Sequence, residues 1–390
     1  RAMTPSARVA AAVTILDEIL NGVPAEQALT SWARRSRFAG SKDRAAIRDH
    51  VFDAIRRKLS FAALGGGMSG RGLMIGQVRA SGADPETVFT GDGYGAPALD
   101  DAERAGGHEP QSDSERWNLP DWLVRSFKES LGDAAEETAM HLAERAPVML
   151  RVNLAMGSVA EAIDRLAEEG ISVQPHGLAE TALVVCDGAR KIRNSAAYTS
   201  GCVELQDAAS QAVVAALPLR DDQTVLDYCA GGGGKTLAMA ARVNARFFAY
   251  DIDPGRMKDL PLRAVRAGAG VRMLTVDELA QNGPYDLVLC DAPCSGSGAW
   301  RRSPDGKWTL TPEKLNDLNG LQDDVLVNGA ALVAPNGTLA YATCSVLQSE
   351  NQDRVQAFLS RNPEWKCTFE QVFLPSQGGD GFYTAHLTRG

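Results

Sequence analysis

From residue 224 to residue 345 the chain repeats one phrase: a short apolar run, a turn, then an amphipathic stretch. The apolar runs are 224–229, 247–250, 271–274, 285–290 and 337–342. Each is strand-length and largely without apolar–polar alternation, which is how a strand covered on both faces reads. Strands of that kind, separated by helices, fold as a doubly wound parallel α/β sheet. Ligands bind such sheets in the crevice outside the carboxyl ends of the strands.

Reactive residue types gather at those ends. The run 285–290 leads into Asp291-Ala292-Pro293-Cys294-Ser295-Gly296-Ser297-Gly298, and the run 337–342 leads into Thr343-Cys344-Ser345. Two cysteines at two strand ends suit a thiolate that attacks an electrophilic ring. The run 224–229 leads into Ala230-Gly231-Gly232-Gly233-Gly234-Lys235-Thr236 and a helix through Leu237 and Met239. A glycine loop between strand and helix lets backbone approach a ligand closely. The loop is not a P-loop, because the first glycine of that motif is missing ahead of Lys235-Thr236. The run 247–250 ends in Asp251, where an acid can accept both hydroxyls of a ribose, and the run 271–274 leads to Asp277. A ribose site without phosphate-binding features favours S-adenosylmethionine over NAD.

A chain of 390 residues is too long for one ordinary core, so two or three domains are expected. No apolar run approaches the roughly 20 residues of a membrane span. Arg1 and Ala2 stand before Met3 and read as an added remnant, and no secretory pattern follows. A cytoplasmic monomer is the expectation. Seven dispersed cysteines suggest no disulfide framework, and no Cys/His set has zinc spacing, so no metal is expected. Cys186, Cys229, Cys290 and Cys367 read as structural. The net charge of -9 argues mildly against a nucleic-acid partner. Locally the balance reverses: Arg34, Arg35, Arg37, Lys42, Arg44, Arg48, Arg56, Arg57 and Lys58 face only Asp43, Asp49 and Asp53. That segment is either a solvated helix surface or a phosphate-binding face.

Before the repeating phrase the pattern differs. Val9, Val13, Leu16, Ile19 and Leu20 share a helical face, and Ile47, Val51, Phe52, Ile55 and Leu59 share another that ends at Gly65-Gly66-Gly67. A short helix is expected over 73–78 and a stretch of loops and capped turns over 81–116. Residues 117–145 read as helical again. Strands at 148–153, 171–173 and 182–185, with a helix capped by Ser158 and ended by Gly170, make a small α+β unit, followed by a helix over 208–217. The expected domains are 3–116, 117–210 and 211–390.

The motif Asp291–Gly298, then Trp300-Arg301-Arg302-Ser303-Pro304-Asp305 and Lys307-Trp308, with Tyr341-Ala342-Thr343-Cys344-Ser345, resembles the RsmB/Nop/Sun family of RNA cytosine carbon-5 methyltransferases. Leu205-Gln206-Asp207-Ala208-Ala209-Ser210 and Asp380-Gly381-Phe382-Tyr383 extend the likeness. Arg37-Phe38-Ala39-Gly40-Ser41-Lys42-Asp43-Arg44 resembles the NusB-like helical domain of the RsmB branch. The resemblance implies three parts: an all-α NusB-like RNA-binding domain, a small α+β RRM-like subdomain, and a Rossmann-like catalytic domain. The family's cofactor loop reads Cys-Ala-Ala-Pro-Gly-Gly-Lys, whereas this chain has Gly231 and Gly232 in place of Ala-Pro, which makes the empty loop more flexible.

The same resemblance implies the roles. Cys344 is the nucleophile toward carbon 6 of cytosine, Cys294 assists product release, and Asp291 holds the base edge. Cys229, Ala230, Gly231, Gly232, Gly233, Gly234 and Lys235 border S-adenosylmethionine, Asp251 binds its ribose, Asp277 lies near its adenine, and Asp291 is adjacent. Arg34, Arg35, Arg44, Arg48, Arg301 and Arg302 are the candidate RNA contacts. The expected product is 5-methylcytidine in small-subunit ribosomal RNA. Transfer RNA, a protein or small-molecule acceptor, and a nonenzymatic RNA-binding role remain alternatives. Trp300, Trp308 and Trp365 are either core or base-stacking residues.

Overall fold

The computed structural model describes residues 2–390. The chain forms two compact units. One holds the chain up to Arg145 together with Trp300–Leu310; the other holds Ala146–Ala299 and Thr311–Gly390. Among the described residues no helix is long and apolar enough to cross a membrane.

The first unit is helical, with principal helices Pro5–Leu20, Ala25–Arg35, Ser41–Arg56, Lys58–Gly65, Gly70–Ala80, Asp121–Leu131 and Ala135–Leu142. Ile15, Leu16, Ile47, Val51, Phe61, Leu73 and Met74 are buried at its centre. The helix expected to run on through Leu59 to Gly65-Gly66-Gly67 breaks at Arg57 (φ -120°, ψ 35°), and Lys58 starts another. That second helix meets Gly70–Ala80 backbone to backbone: a Cβ on Gly76 would lie 1.9 Å from the Phe61 carbonyl oxygen. Only glycine permits that approach. The expected boundary at 116/117 falls inside this unit. Asn118 explains why: its Oδ1 accepts from the Ser60 N–H at 2.9 Å and its Nδ2 donates to Ser60 Oγ at 2.8 Å.

Trp300–Leu310 belongs to the same unit, although its place in the sequence lies within the expected catalytic domain. Trp300 is 1% exposed and stacks on Phe127 at 6.1 Å between ring centres. Lys307 Nζ donates to the Arg56 carbonyl at 2.7 Å, and Trp308 Nε1 donates to the Ile55 carbonyl at 2.8 Å. These are last-turn carbonyls of the helix Ser41–Arg56, which have no partner within the helix. Burial, followed by the charges of Arg56, Lys58 and Arg57, pulls the Lys307 pKa down to about 7. Trp300 and Trp308 are therefore packing residues, as is Trp365, buried beside Phe358 in the second unit.

The second unit opens with a four-stranded antiparallel sheet. Its strands are β1 (Met149–Val152), β2 (Ser172–Pro175), β3 (Ala182–Asp187) and β4 (Val203–Leu205), in the order β2-β3-β1-β4. Ser158 Oγ accepts from the Glu161 N–H at 3.1 Å and starts the helix Val159–Glu168. That helix buries Ala162 and Leu166 with Leu150, Val152, Ile171 and Leu183.

The remaining strands are β5 (Thr224–Asp227), β6 (Arg246–Ala249), β7 (Val271–Met273), β8 (Tyr285–Asp291), β9 (Val333–Thr343), β10 (Trp365–Phe373) and β11 (Phe382–Arg389). Their order is β10-β11-β9-β8-β5-β6-β7. The pairs β9–β8, β8–β5, β5–β6 and β6–β7 are parallel, whereas β11 runs antiparallel to both β9 and β10. The sheet is thus mixed rather than wholly parallel. β10 and β11 follow each other through the short loop Leu374–Gly381, too short for the crossover that parallel neighbours need. From β5 the chain moves to β6 on one side and later to β8 on the other. That reversal opens a crevice at the carboxyl ends of β5 and β8.

Candidate active site

The glycine loop leaves β5 under several constraints. Gly231 and Gly233 have φ of 51° and 83°, and a Cβ on Gly233 would lie 2.1 Å from Leu260 Cδ1. Asp251, at the end of β6 and 2% exposed, accepts from the Gly231 N–H through Oδ2 and from the Asp253 N–H through Oδ1, each at 2.9 Å. Its carboxylate therefore anchors the loop. Beside it lies a cavity of about 470 Å³, lined among others by Tyr250, Asp251, Ile252, Met273, Leu274 and Val276. Asp277 is exposed in the first turn of the helix Val276–Asn282 and is not part of that lining. Cys229 stands at the head of the loop, and burial pushes its thiol well above the ordinary range. The Gly232 carbonyl accepts from Arg263 Nη1 at 2.5 Å, and Gly234 opens the helix Gly234–Ala240.

Asp227 at the end of β5 was not singled out by sequence. Its Oδ2 accepts from Thr236 Oγ1 at 2.7 Å, while Oδ1 is buried without a hydrogen bond. Burial raises its pKa to about 7, opposed by the Thr236 hydrogen bond.

β8 and β9 are parallel neighbours with Asp291 opposite Ala342, so their loops leave the sheet side by side. The Gly298 N–H donates to the Cys344 carbonyl at 2.8 Å, and the Gly381 N–H donates to the Gly298 carbonyl at 2.9 Å. A Cβ on Gly298 would lie 2.0 Å from the Gly381 carbonyl oxygen, so this stitch requires glycine. The result brings Cys294 Sγ to 3.4 Å from Cys344 Sγ, both half-buried. The Cys294 thiol is pushed well up, first by its hydrogen bond with Cys344, then by burial, with the charges of Cys344 and Glu350 adding.

Lys235 Nζ donates to Asp291 Oδ2 at 2.7 Å and lies 4.9 Å from the centre of the Phe382 ring. Burial disfavours the Lys235 cation, yet Asp291, and more weakly Cys344, hold its pKa above the ordinary lysine value. The structure thus brings together Cys294, Cys344, Asp291 and Lys235, with the glycine loop and Asp251 at the neighbouring strand ends. A thiol pair beside a held ammonium and an ion-paired carboxylate can carry thiolate addition and proton transfer.

Sequence reasoning also passed over Glu350, Gln322 and Phe382. Phe382 lay within a quoted motif, and Glu350 follows Cys344 closely. Their roles rest on contacts that span the chain.

The candidate RNA contacts separate. Arg34 and Arg44 are exposed, and among the described residues neither forms an ion pair. Arg35 pairs with Glu18 at 3.0 Å, and Arg48 holds Glu26 through both of its terminal nitrogens. Arg302 is exposed, but Arg301 is 5% exposed and its carbonyl accepts from Arg56 Nε at 2.7 Å. A phosphate cannot reach a side chain buried in that way, so Arg301 is a packing residue. Phe38, between Arg37 and Lys42, is 71% exposed.

Residues 214–388 match the family described as 16S rRNA methyltransferase RsmB/F, and residues 119–190 match the ferredoxin-like domain of RsmF/B-like methyltransferases. The chain is 32% identical over 293 residues to the ribosomal RNA small subunit methyltransferase B of Vibrio cholerae, covering 71% of this chain and 67% of that one. It is 33% identical over 256 residues to the probable ribosomal RNA small subunit methyltransferase B of Bacillus subtilis, covering 63% of this chain and 57% of that one. Two solved structures share the fold. PH0851 matches with a TM-score of 0.75 at 22% identity over 100% of both chains. A methyltransferase homologue from Pyrococcus horikoshii matches with a TM-score of 0.63 at 22% identity, over 71% of this chain and 98% of that one. The chain belongs to the RsmB/F methyltransferase family.

Proposed function

We propose that this protein is an S-adenosylmethionine-dependent RNA methyltransferase that forms 5-methylcytidine in small-subunit ribosomal RNA. The observation that carries the reading is the pair of cysteine sulfurs 3.4 Å apart at the ends of two adjacent strands, next to the Lys235–Asp291 ion pair. The residues present fit the methyl donor. An apolar cavity lies beside the buried Asp251 carboxylate, which accepts from the Gly231 N–H of the glycine loop. Ile252, Met273 and Val276 suit a flat base, Asp251 suits ribose hydroxyls, and Asp277 stands one residue beyond Val276. When bound, S-adenosylmethionine supplies an electrophilic sulfonium methyl group.

The protein's own residues then have these tasks. The Cys344 thiolate adds to carbon 6 of the cytosine, and the electrons of the carbon 5–carbon 6 double bond leave carbon 5 nucleophilic. Asp291, oriented by Lys235, holds the base edge and favours a proton on nitrogen 3. Carbon 5 would then accept the methyl group that bound S-adenosylmethionine supplies. A base then removes the carbon-5 proton, the double bond re-forms, and the carbon 6–sulfur bond breaks to return the Cys344 thiolate, with Cys294 assisting. A stacked base cannot be reached in this way, so the target must be flipped out or single-stranded.

The helical unit and the small antiparallel sheet are proposed to hold the RNA. Arg34 and Arg44 are available for phosphates, and Phe38 offers a face for a base. The same reading has the protein act as a monomer in the cytoplasm; sedimentation and cell fractionation test both. The decisive experiment is methyl transfer from labelled S-adenosylmethionine to small-subunit ribosomal RNA, transfer RNA and protein, with the product nucleoside mapped. Label in 5-methylcytidine of the ribosomal RNA is expected; label in protein alone would refute the reading.

A further inference from the structure

Glu350 is 0% exposed, yet it lies in neither cysteine motif. Four donors converge on its side chain. Oε2 accepts from the Ser295 N–H at 2.8 Å and from Gln322 Nε2 at 2.9 Å; Oε1 accepts from Ser295 Oγ and Ser345 Oγ, each at 2.5 Å. Four donors are what an ionised carboxylate satisfies. Ser295 directly follows Cys294 and Ser345 directly follows Cys344, so one buried side chain grips both cysteine loops. Gln322 extends the grip, since its Nε2 also donates to the Pro293 carbonyl at 2.9 Å. The Glu350 carbonyl is itself fixed by Tyr341 Oη at 2.6 Å. Arg354, further along the chain, is committed to Asp323 at 2.8 Å.

We propose that Glu350 is a positioning residue that divides the labour between the two cysteines: it sets the gap between their loops, and its charge keeps the negative sulfur on the Cys344 side. The inference rests on the reading of Cys344 as the attacking group. The two sulfurs have opposite surroundings. Cys344 is a neighbour that helps hold the Lys235 cation, whereas Cys294 has the Glu350 carboxylate beside it. Its hydrogen bond with Cys344 is the first cause of the raised Cys294 thiol, burial the second, and Glu350 adds to both. The 3.4 Å contact between the two sulfurs links their states in turn. Before attack, Cys294 remains a thiol that donates to Cys344. Once Cys344 is bonded to carbon 6, that hydrogen bond is weakened; it strengthens again as the carbon 6–sulfur bond breaks, so the Cys294 thiol assists departure of the Cys344 thiolate. Without the carboxylate the two thiols would compete for the same charge.

The first test needs neither RNA nor methyl transfer. Iodoacetamide alkylation of Cys294 and Cys344 is followed separately by peptide mass spectrometry at several pH values. In the unaltered protein Cys344 should react faster. In Glu350→Gln, of the same shape without the charge, Cys294 alkylation near pH 8 should quicken about tenfold, one unit of thiol ionisation, and the gap should close. Glu350→Asp keeps the charge and should keep the order of reactivity. An unchanged ratio in a folded Glu350→Gln, or the same change in both variants, overturns the proposal. Should Glu350→Gln fail to fold, Ser345→Ala takes one tie and leaves the carboxylate. There the alkylation ratio should hold while methyl-transfer kcat falls several-fold with KM for RNA unchanged; an unaltered kcat in that variant overturns the positioning role. Failure of methyl transfer in every protein, with the alkylation pattern as expected, would count against the proposed activity and not against the part played by Glu350.

Discussion

Asp251→Ala should damage ligand binding and folding through the same carboxylate. Hydrogen bonds to a charged group are worth about 1.5–3 kcal/mol each. Replacing the ribose contacts alone should cost about 2–3 kcal/mol of S-adenosylmethionine affinity, or roughly 30- to 150-fold at about 1.4 kcal/mol per tenfold. The structure adds a second loss. Asp251 also accepts from the N–H groups of Gly231 and Asp253, both at 2.9 Å, and alanine leaves those two donors without it. The cavity next to them admits water, so the lower end of the scale applies, about 3 kcal/mol of folding stability for the pair. Calorimetric titration with S-adenosylmethionine and urea unfolding of the ligand-free protein measure the two losses separately. Unchanged affinity would refute the ribose assignment. Weakened affinity with unchanged unfolding would refute the claim that Asp251 anchors the glycine loop.

Other tests address the cysteines, the basic face and a buried acid. Cys344→Ser should form no covalent RNA adduct and almost no product, whereas Cys294→Ser should attack, transfer methyl and stall as RNA-linked protein on a denaturing gel; the reverse pattern would exchange their roles. Charge reversal at Arg34 and Arg44, which form no ion pair among the described residues, should lower RNA affinity and flatten its salt dependence more than reversal at Arg35 and Arg48, which are engaged by Glu18 and Glu26. Equal effects across several salt concentrations would show that the ion pairs do not matter. Burial lifts Asp227 to about 7, above an ordinary carboxylate, so the folded state holds that proton more tightly than the unfolded chain does. Its share of stability is present below about pH 4 and lost as pH climbs through about 7. Asp227→Asn should flatten the fall in melting temperature between those values, and a melting curve with the same pH dependence as the parent would refute this.

The parallel strands were legible because a strand buried on both faces announces itself as a continuous apolar run, and β5, β6 and β8 do so. β10 could not be read that way. It lies at the sheet edge, and between Trp365 and Phe373 most of its residues are exposed, so neither alternation nor a continuous run survives. The break at Arg57 carries no glycine or proline to mark it. At the site, Cys294, Cys344, Lys235 and Asp251 were visible because each stands at a strand end or in a turn. Glu350 was not, since in sequence a buried carboxylate looks like any surface acid until its donors are known. Arg301 and Arg302 make the same point: two adjacent arginines, one enclosed and one in solvent, differ only in what the fold puts around them.

The excursion of Trp300–Leu310 has a practical corollary for anyone who wants a smaller enzyme. The polypeptide passes from one compact unit to the other after Arg145, again after Ala299 and again after Leu310. A cut after Arg145 therefore does not liberate a self-sufficient catalytic fragment. It strips Trp300 of the Phe127 ring it stacks on, and Lys307 and Trp308 of the helix-end carbonyls they cap. The severed loop would present two indole rings to solvent only a few residues downstream of Cys294, so a fragment from 146 onward should aggregate unless that loop is redesigned. The helical unit is a stitched-in part of the chain rather than a detachable appendix, and gain or loss of one unit calls for rebuilding the other.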